Sequence, residues 1–390
     1  MDAQPRSLLL GLTGLSIEGG IAGVSRCVVR ALDEAIEAGQ VERADRVLLL
    51  EDPRDPFPPP LRGVQRLARG SQLRFALELW AQRSRRRNDL LFFDLVGLAR
   101  AIRLPALRRS PHAIFLHGIE LEAARTGSRA AALRGAWRVL TNSRSTAARV
   151  EAQFPELAGR IRPVLLCIDP ERVALWEREN TAPPPRREPA ALIVGRMWSS
   201  ERGKGHDQLL EAWPSVLRRV PQARLWVVGD GDDRARLAAK AQQAGIAGAV
   251  RFFGRVADRE LGLLYRRASL YAMPSRQEGF GLVYAEALWH GLPCLGSTAD
   301  AAAELIEPDV TGALVPYGDV PALAQALAEL LGDPDRLGRM GEAGARAAHE
   351  RFGYARFRDD LLGALGLAPR EASPAAPSIT ELVAPASAVR

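Results

Sequence analysis

The sequence predicts an α/β protein of two Rossmann-like, doubly wound domains that face a cleft. Its 390 residues exceed the size that one hydrophobic core usually reaches, so two domains are expected. Short apolar runs alternate with helix-length amphipathic segments in both halves, which is typical of parallel sheets. A proline cluster at residues 183–185 separates the two halves and predicts where one domain ends.

The apolar runs are the predicted strands of the two sheets. In the first half they cover residues 8–12, 46–50, 90–93, 113–116 and 138–141. In the second half they cover residues 191–195, 225–229, 250–253, 270–272 and 293–296. Ligands bind beyond the carboxyl ends of the strands in open parallel sheets, so the residues that follow these runs are the candidates for a site.

The predicted organisation is a first domain at residues 1–180, a linker at 181–188 and a second domain at 189–350. The linker prolines cannot continue a helix or a central strand, which predicts a stiff connection. Residues 368–390 are rich in alanine, proline and serine and have no apolar periodicity, so they are predicted to form a disordered tail.

The composition sets only broad limits on function and location. The net charge of +7 comes almost entirely from arginine, because Lys204 and Lys240 are the only lysines. This charge is compatible with nucleic acid, an anionic membrane or phosphate-bearing substrates. Cys27, Cys167 and Cys294 form no C-x-x-C pattern, which predicts a reducing, cytoplasmic location. The sequence has no signal-peptide core or apolar span, so any membrane contact is expected to be peripheral.

A glycine-bearing turn at residues 14–26 follows the first predicted strand and leads into a helix. Its amides and the positive end of the helix dipole suit a phosphate. One alternative is a tight turn that binds no ligand. The other is a dinucleotide site with Glu51 and Asp52 near the adenosine ribose, although the absence of G-x-G-x-x-G argues against it.

His117 directly follows the predicted strand 113–116, at the carboxyl end of the first sheet. A structural and a functional role are equally expected for a histidine in this place. The other four histidines are predicted to be structural: His112, His206, His290 and His349.

Two cations follow the first strand of the second domain. Arg196 can fork onto two oxygens and Lys204 is a compact point charge, a combination that suits a diphosphate leaving group. The alternative for Arg196 is a solvated surface arginine. Lys204 is harder to explain in that way, because lysine is rare in this chain and glycines flank it.

The acidic run Asp230-Gly231-Asp232-Asp233 has the spacing of a metal-binding D-x-D. It directly follows a strand, which instead favours a helix N-cap and a first-turn acid. No metal site is predicted.

The strongest pattern lies in residues 273–293, which predict a strand end, a loop with Glu278 and a helix that begins near Gly281. Glu286 lies four residues beyond Leu282, so its carboxylate is expected over the first turn of the helix. The helix end would offer amides to a pyrophosphate and an acid to a ribose diol, while Glu278 could reach sugar hydroxyls. The alternative is that both acids are solvated.

Glu278 and Glu286, with seven residues between them after a strand and with Gly195-Arg196 and Lys204 upstream, resemble the motif of the retaining GT-B glycosyltransferases of family four. The resemblance covers residues 14 to about 357 and is more specific in the second domain. It implies that Glu286 binds the ribose, that Glu278 contacts the transferred sugar, and that Arg196 and Lys204 hold the diphosphate.

The resemblance also implies roles outside this motif. His117 matches the active-site histidine of the family's first domain, beside the donor sugar, and that domain lies on the acceptor side. Residues 351–367 would form a terminal helix that crosses back to the first domain. The remaining residues implied to bind the nucleotide sugar are Gly19, Gly20, Arg255, Val256, Phe280, Gly281 and Leu282.

The implied activity is a retaining, metal-independent transfer of a mannose- or glucose-type hexose from a nucleotide diphosphate sugar. GDP-mannose and UDP-glucose are both reasonable donors, and no cofactor beyond the donor is expected. The acceptor would be a saccharide or a lipid-linked saccharide in bacterial exopolysaccharide or lipopolysaccharide synthesis. Attack on the donor would come from its front face through an oxocarbenium-like state.

Other function classes remain open. The same fold serves sugar-nucleotide epimerases and phosphorylases. A nucleic-acid-binding protein or a nicotinamide-dependent oxidoreductase are the alternatives from other classes. The arginine-rich stretch 82–88 suggests contact with an anionic membrane, on the inner face of the plasma membrane, or with a lipid-diphosphate acceptor. A solvated face is the alternative for this stretch and for the arginines that follow it, Arg100, Arg103, Arg108 and Arg109.

Overall fold

The computed structural model describes residues 6–17, 19–52, 54, 57–179, 186–276, 278–299 and 301–367. The chain divides into two compact units. The first holds the described residues up to Asp169 and those from Tyr354 onward, and the second holds Pro170–Gly353. Most of the expected linker and all of the expected tail lie outside the described residues.

The first unit contains a seven-stranded parallel sheet in the order β3-β2-β1-β4-β5-β6-β7. Its strands are β1 (Ser7–Leu12), β2 (Arg43–Leu48), β3 (Gln65–Leu67), β4 (Leu90–Phe93), β5 (His112–Leu116), β6 (Arg138–Thr141) and β7 (Ile161–Pro163). Leu8, Leu9 and Leu10 are all fully buried, so β1 is covered on both faces, as expected of a central parallel strand.

The second unit contains a six-stranded parallel sheet in the order β10-β9-β8-β11-β12-β13. Its strands are β8 (Glu188–Val194), β9 (Arg224–Val228), β10 (Val250–Gly254), β11 (Ala268–Ala272), β12 (Cys294–Ser297) and β13 (Gly312–Val315). Every pairing between these strands is parallel. The predicted α/β class with two doubly wound sheets is confirmed.

Helices connect the strands in both units. In chain order they are α1 (Gly20–Glu37), α2 (Gln72–Arg86), α3 (Gly127–Gly135), α4 (Arg144–Gln153), α5 (Pro170–Glu179), α6 (His206–Arg219), α7 (Arg234–Gln243), α8 (Asp258–Arg267), α9 (Leu282–Trp289), α10 (Ala302–Leu305), α11 (Val320–Leu331), α12 (Pro334–Arg351) and α13 (Tyr354–Ala364). Helices α5 to α12 belong to the second unit and the others to the first.

The apolar spacing of α1 shows why these segments become helices. Val24, Val28, Leu32 and Ile36 recur every four residues and are all buried, so one face of the helix packs on the sheet. Helix α13 packs against α1 within the first unit.

Three strands were not predicted from the sequence: β3, β7 and β13. They lie at sheet edges and have only three or four residues, and β3 and β7 also contain polar residues or proline that interrupt an apolar run. Each of these strands forms by pairing with a neighbouring strand, and the sequence pattern does not show which strand that is.

None of the described helices combines the length and the apolar character that crossing a membrane would require.

Candidate functional site

The strongest candidate site lies in the second unit, at the carboxyl ends of β8 and β11. These strands are neighbours, and the chain order reverses direction between them, from β8-β9-β10 on one side to β11-β12-β13 on the other. A reversal of this kind opens a crevice where ligands bind in open α/β sheets. The two loops touch, since the Arg276 amide donates to the Gly203 carbonyl at 2.7 Å.

The structure brings Lys204 and Glu278 together across these loops. The Lys204 ammonium forms an ion pair with Glu278 Oε1, and both side chains are largely buried. The Lys204 side chain also packs close to Gly195, since a Cβ added to that glycine would lie 3.1 Å from Lys204 Cδ. The carboxylate orients the ammonium group at the switch point, where it could bind an anion.

Gly205 allows the loop that carries Lys204 to enter α6. Its φ of 97° lies in the left-handed region, and a Cβ there would meet Pro274 at 2.8 Å. Glycine is required on both grounds, which explains the glycine after Lys204.

Arg196 follows β8 but is not joined to the Lys204–Glu278 pair. Its side chain is 67% exposed and its guanidinium contacts Glu201 Oε1 at 3.0 Å. An exposed ion pair of this kind contributes little, about 0 to 1 kcal/mol. Binding of a diphosphate could therefore replace Glu201 at small cost.

Helix α9 begins at the end of the Glu278 loop. Gly281 is its N-cap with φ 87°, and a Cβ there would meet Tyr284 Cδ2 at 2.6 Å. The Tyr284 hydroxyl donates to the Met273 carbonyl at the end of β11 and ties the helix to the strand. The helix start therefore lies beside the same loop, where its amides favour a negative charge.

The residues at this helix start contribute main chain rather than side chain. Phe280 is buried and packs edge-on against Phe352, with ring centroids 5.9 Å apart. Leu282, the first residue of α9, is half-buried. Phosphate binding by the amides near Phe280, Gly281 and Leu282 stays a prediction.

Glu286 lies one turn further along α9 and is almost fully buried. Its Oε1 forms an ion pair with Arg172, and its Oε2 accepts a hydrogen bond from the Tyr265 hydroxyl at 2.9 Å. Burial raises the pKa of Tyr265, and the charge of Glu286 adds to this effect. The hydroxyl therefore stays protonated and donates to the carboxylate.

Arg172 was not predicted from the sequence. It lies in α5 and bridges Glu286 to Asp258, whose Oδ1 is 2.5 Å from Arg172 Nη2. Burial opposes the charge of Arg172, but the carboxylates of Glu286 and Asp258 outweigh it and raise the pKa of the guanidinium. Arginine is so frequent in this chain that only the tertiary contact identifies this one.

Asp258 connects this cluster to the loop of Arg255 and Val256, which is predicted to bind the nucleotide sugar. Arg255 and Val256 follow β10 and precede Asp258, the first residue of α8; Arg255 is exposed and Val256 half-buried. The Trp176 indole donates to the Asp258 carbonyl at 2.9 Å, which holds α5 against the start of α8.

The acids of the run 230–233 are committed to other partners. Asp232 accepts from the Ser199 amide at 2.7 Å. Asp233 stands at the N-cap of α7 as predicted, but its carboxylate pairs with Arg202 and Arg236 instead of capping the helix. No cluster of three or more metal-binding side chains occurs among the residues that the structure describes.

In the first unit, the glycine turn after β1 is clamped by two buried acids. Glu51 accepts from the amides of Leu15 at 2.7 Å and Ser16 at 3.2 Å. Asp94 accepts from the Thr13 amide at 2.8 Å. Glu51 therefore holds the turn, which argues against the adenosine-ribose role considered for it.

Gly19 and Gly20 lie at the start of α1 with open space around them. Gly19 is the N-cap with φ 132°, and a Cβ on either glycine would meet nothing within 4 Å. Both are exposed, so their main chain is accessible to a ligand.

His117 lies at the end of β5 and is buried. Its Nε2 is 2.9 Å from the Asp94 carbonyl, and its ring stacks on Phe115. If Nε2 carries the proton and donates to this carbonyl, Nδ1 remains an acceptor. The Asn142 side chain donates to the His117 carbonyl at 3.0 Å and fixes the main chain.

Asp94 is a second residue that sequence reasoning missed. Besides Thr13 it accepts from the Ser25 hydroxyl at 2.8 Å, and burial raises its pKa. Its position directly after β4 was the available signal, because acids at the carboxyl ends of parallel strands are candidates for a site.

Two histidines of the second unit, the buried His206 and the half-buried His290, predict a loss of stability in acid. Burial lowers the pKa of His206 to about 4 and that of His290 to about 3. Because the unfolded histidines take up protons near pH 6.5 and the folded ones do not, stability should fall as the pH drops below about 6.5. The expected loss is about 1.4 kcal/mol per pH unit for each histidine.

Urea unfolding at pH 7.5 and 5.5 would measure this loss. His290→Phe keeps a ring beside Trp176 and Tyr265 and should show a smaller loss between the two pH values than the wild type. Equal losses in both proteins would contradict the assignment of His290.

Known proteins are similar in sequence to part of this chain. Residues 188–333 match the model of the family Glycosyl transferases group 1. A GDP-mannose-dependent alpha-(1-6)-phosphatidylinositol monomannoside mannosyltransferase of Mycobacterium tuberculosis is 39% identical over 148 residues, 36% of this chain and 38% of that protein. A D-inositol 3-phosphate glycosyltransferase of Xylanimonas cellulosilytica is 37% identical over 188 residues, 47% of this chain and 42% of that protein. The chain thus spans less than half the length of these relatives.

Solved structures are similar over most of the chain. Sucrose-phosphate synthase from Thermosynechococcus elongatus superposes with a TM-score of 0.72 at 22% identity, covering 90% of this chain and 96% of that one. HepE from Anabaena in complex with UDP superposes with a TM-score of 0.69 at 19% identity, covering 92% and 99%. At these identities the likeness shows a shared fold.

Proposed function

Because the chain belongs to the GT-B glycosyltransferases of family four, the glycosyl transferases group 1, we propose that it moves a hexose from a nucleotide diphosphate sugar to an acceptor. The observation that carries this proposal is the Lys204–Glu278 pair at the β8–β11 switch point, directly before the start of α9. A cation and a helix N-terminus at one crevice suit the departure of a nucleoside diphosphate.

Each residue of the proposed site has a separate role in the reaction of the donor. Lys204, Arg196 and the amides at the start of α9 stabilise the charge that develops on the diphosphate, without a step that needs a metal. Glu286 accepts from the ribose hydroxyls, and Glu278 contacts the transferred sugar while it orients Lys204. In the first unit, donor-binding roles for His117, Gly19 and Gly20 stay predictions from the family resemblance.

The proposed stereochemistry is retention. Neither Glu278, which is paired with Lys204, nor Glu286, which is paired with Arg172, is proposed as a nucleophile. Front-face attack through an oxocarbenium-like state needs only a stabilised leaving group and an acceptor held close to the anomeric carbon.

GDP-mannose is the first donor to test. The relative from Mycobacterium tuberculosis is named for this donor, whereas the Anabaena structure holds UDP, so a UDP-hexose is the second choice. We propose a saccharide or lipid-linked acceptor, no cofactor beyond the donor, and a cytoplasmic protein that meets the membrane at its surface. Synthesis of exopolysaccharide or lipopolysaccharide is the proposed setting.

A panel of sugar nucleotides ranked by thermal shift, followed by hydrolysis and transfer assays with the best binder, would test the proposal. We expect the largest shift with GDP-mannose, a product that keeps the anomeric configuration by NMR, and a rate unchanged by EDTA. An inverted product would contradict retention, and loss of activity in EDTA would contradict the metal-independent mechanism. Formation of an epimer without an acceptor would favour the epimerase alternative.

A further inference from the structure

Helix α2 carries apolar side chains on two opposite faces. Phe75 and Leu79 are buried against the first sheet, whereas Leu73, Leu77 and Trp80 are 72%, 52% and 44% exposed. The exposed three are spaced i, i+4 and i+7, so they form one stripe along the helix, on the side away from Phe75 and Leu79. This α2 stripe, Leu73, Leu77 and Trp80, occupies the face that a surface helix usually fills with polar residues.

The helix that carries the stripe is strongly cationic. Arg74, Arg85 and Arg87 are exposed beside it or at its C-terminal end. Glu78 is the only acid in α2, and its carboxylate lies 4.0 Å from Arg66. Positive charge therefore lies beside the stripe and at the C-terminal end of its helix.

A neighbouring segment widens this positive surface. Arg100 donates to the Gln72 side chain at 2.9 Å, and Arg83 donates to the Ser110 hydroxyl at 2.8 Å. These two contacts place residues 100–110 along α2, one near each end of the helix. The exposed arginines of that segment are Arg103, Arg108 and Arg109.

We propose that the α2 stripe and its bordering arginines dock the first unit on an anionic lipid bilayer. The leucines and Trp80 would enter the boundary between headgroups and acyl chains, where tryptophan is favoured, and the arginines would contact anionic headgroups. A helix with apolar residues flanked by arginines has the composition of a helix that lies in the plane of the interface.

Charge complementarity selects the bilayer over a second copy of the chain. In a symmetric contact between two copies, α2 would face α2 and bring the two sets of arginines together, at a cost in repulsion. An anionic lipid surface neutralises the same arginines while it covers the stripe.

The inference rests on the proposed function in one respect: transfer to a membrane-bound acceptor would require the protein to reach the membrane. Hydrolysis of the donor in the absence of acceptor needs none of the α2 residues. This rate therefore reports on the proposed function separately from docking.

Co-sedimentation with phosphatidylcholine vesicles, with and without phosphatidylglycerol, tests the proposal on the full chain. We expect binding only when phosphatidylglycerol is present, weakening as salt rises. Arg85→Gln and Arg87→Gln should each lower the partition coefficient about fivefold. Replacing Leu73, Leu77 and Trp80 together by serine should lower it by more than about tenfold.

Matched controls separate the stripe from generic surface effects. Leu263→Ser removes a leucine that is 43% exposed in the second unit, and it should bind vesicles as the wild type does. Arg218→Gln with Arg219→Gln removes two exposed arginines at the end of α6 and serves as the charge control. All variants should hydrolyse the donor at the wild-type rate.

The emission of Trp80 gives a readout of insertion that sedimentation does not. The difference between wild type and Trp80→Phe should shift to shorter wavelength when phosphatidylglycerol vesicles are added. Vesicle binding by the triple serine variant at the wild-type level would overturn the proposal. So would a fall in oligomeric mass in this variant with unchanged vesicle binding, because the stripe would then be a protein interface.

Discussion

Lys204→Ala should lower the rate of sugar transfer on the order of 10²-fold, as for the loss of one preorganised electrostatic donor. Its ammonium is held by Glu278 at the switch point of the second sheet, so little reorganisation is needed when the diphosphate leaves. Because the interaction strengthens as charge develops, kcat should fall more than the affinity for the donor.

Lys240→Ala is the matched control, because Lys240 is the only other lysine. Its ammonium pairs with Asp207 and Glu211 on α6 and not with Glu278. Steady-state kinetics with the best sugar nucleotide should show wild-type kcat for this variant. Similar losses in both variants would indicate a general effect of removing a lysine and would count against the role of Lys204.

Glu286→Gln should weaken the binding of a nucleoside diphosphate and remove its preference for ribose over 2′-deoxyribose. A carboxylate that accepts from a ribose hydroxyl forms a charge-assisted hydrogen bond, which a neutral amide replaces poorly. We expect the wild type to bind GDP about tenfold more tightly than 2′-deoxy-GDP, from a charge-assisted bond of roughly 1.5 kcal/mol. The variant should bind both ligands equally in isothermal titration.

The same carboxylate also supports the fold, so the two roles must be measured apart. Glu286→Ala would leave the Arg172 guanidinium and the Tyr265 hydroxyl without this acceptor, at a cost of about 3 kcal/mol in unfolding free energy. Glu286→Gln keeps the side-chain shape and should fold. If the Glu286→Gln variant still binds GDP more tightly than 2′-deoxy-GDP, Glu286 supports structure alone. Glu278→Gln is the control, and it should keep the preference for GDP.

Much of the fold could be predicted from the sequence, because fully buried parallel strands leave continuous apolar runs. Leu8–Leu10 in β1 and Leu90–Phe93 in β4 are examples, and both are buried on each face. The short edge strands β3, β7 and β13 could not be predicted in this way, since their pairing depends on a neighbour that is distant in sequence.

The candidate site also contains residues that could be predicted from the sequence and residues that could not. Lys204, Glu278 and Gly281 were predictable because the end of a strand, a flanking glycine and the start of a helix are local features. Their roles as donor-binding residues stay predictions.

What the sequence by itself determined is therefore the class of the fold, the helix start at Gly281 and the position of each charged loop relative to its strand. The tertiary structure alone decided which charges meet. Arg172 reaches Glu286 over 114 positions of sequence, and Asp94 reaches Thr13 over 81. Tertiary packing also decided that Leu73, Leu77 and Trp80 face outward. Helix α2 has apolar residues on two faces, and its buried residues are Phe75, Leu79 and Gln82. The spacing of apolar residues in the sequence shows that a helix has an apolar face. Which face is buried depends on the elements that the rest of the chain packs against it.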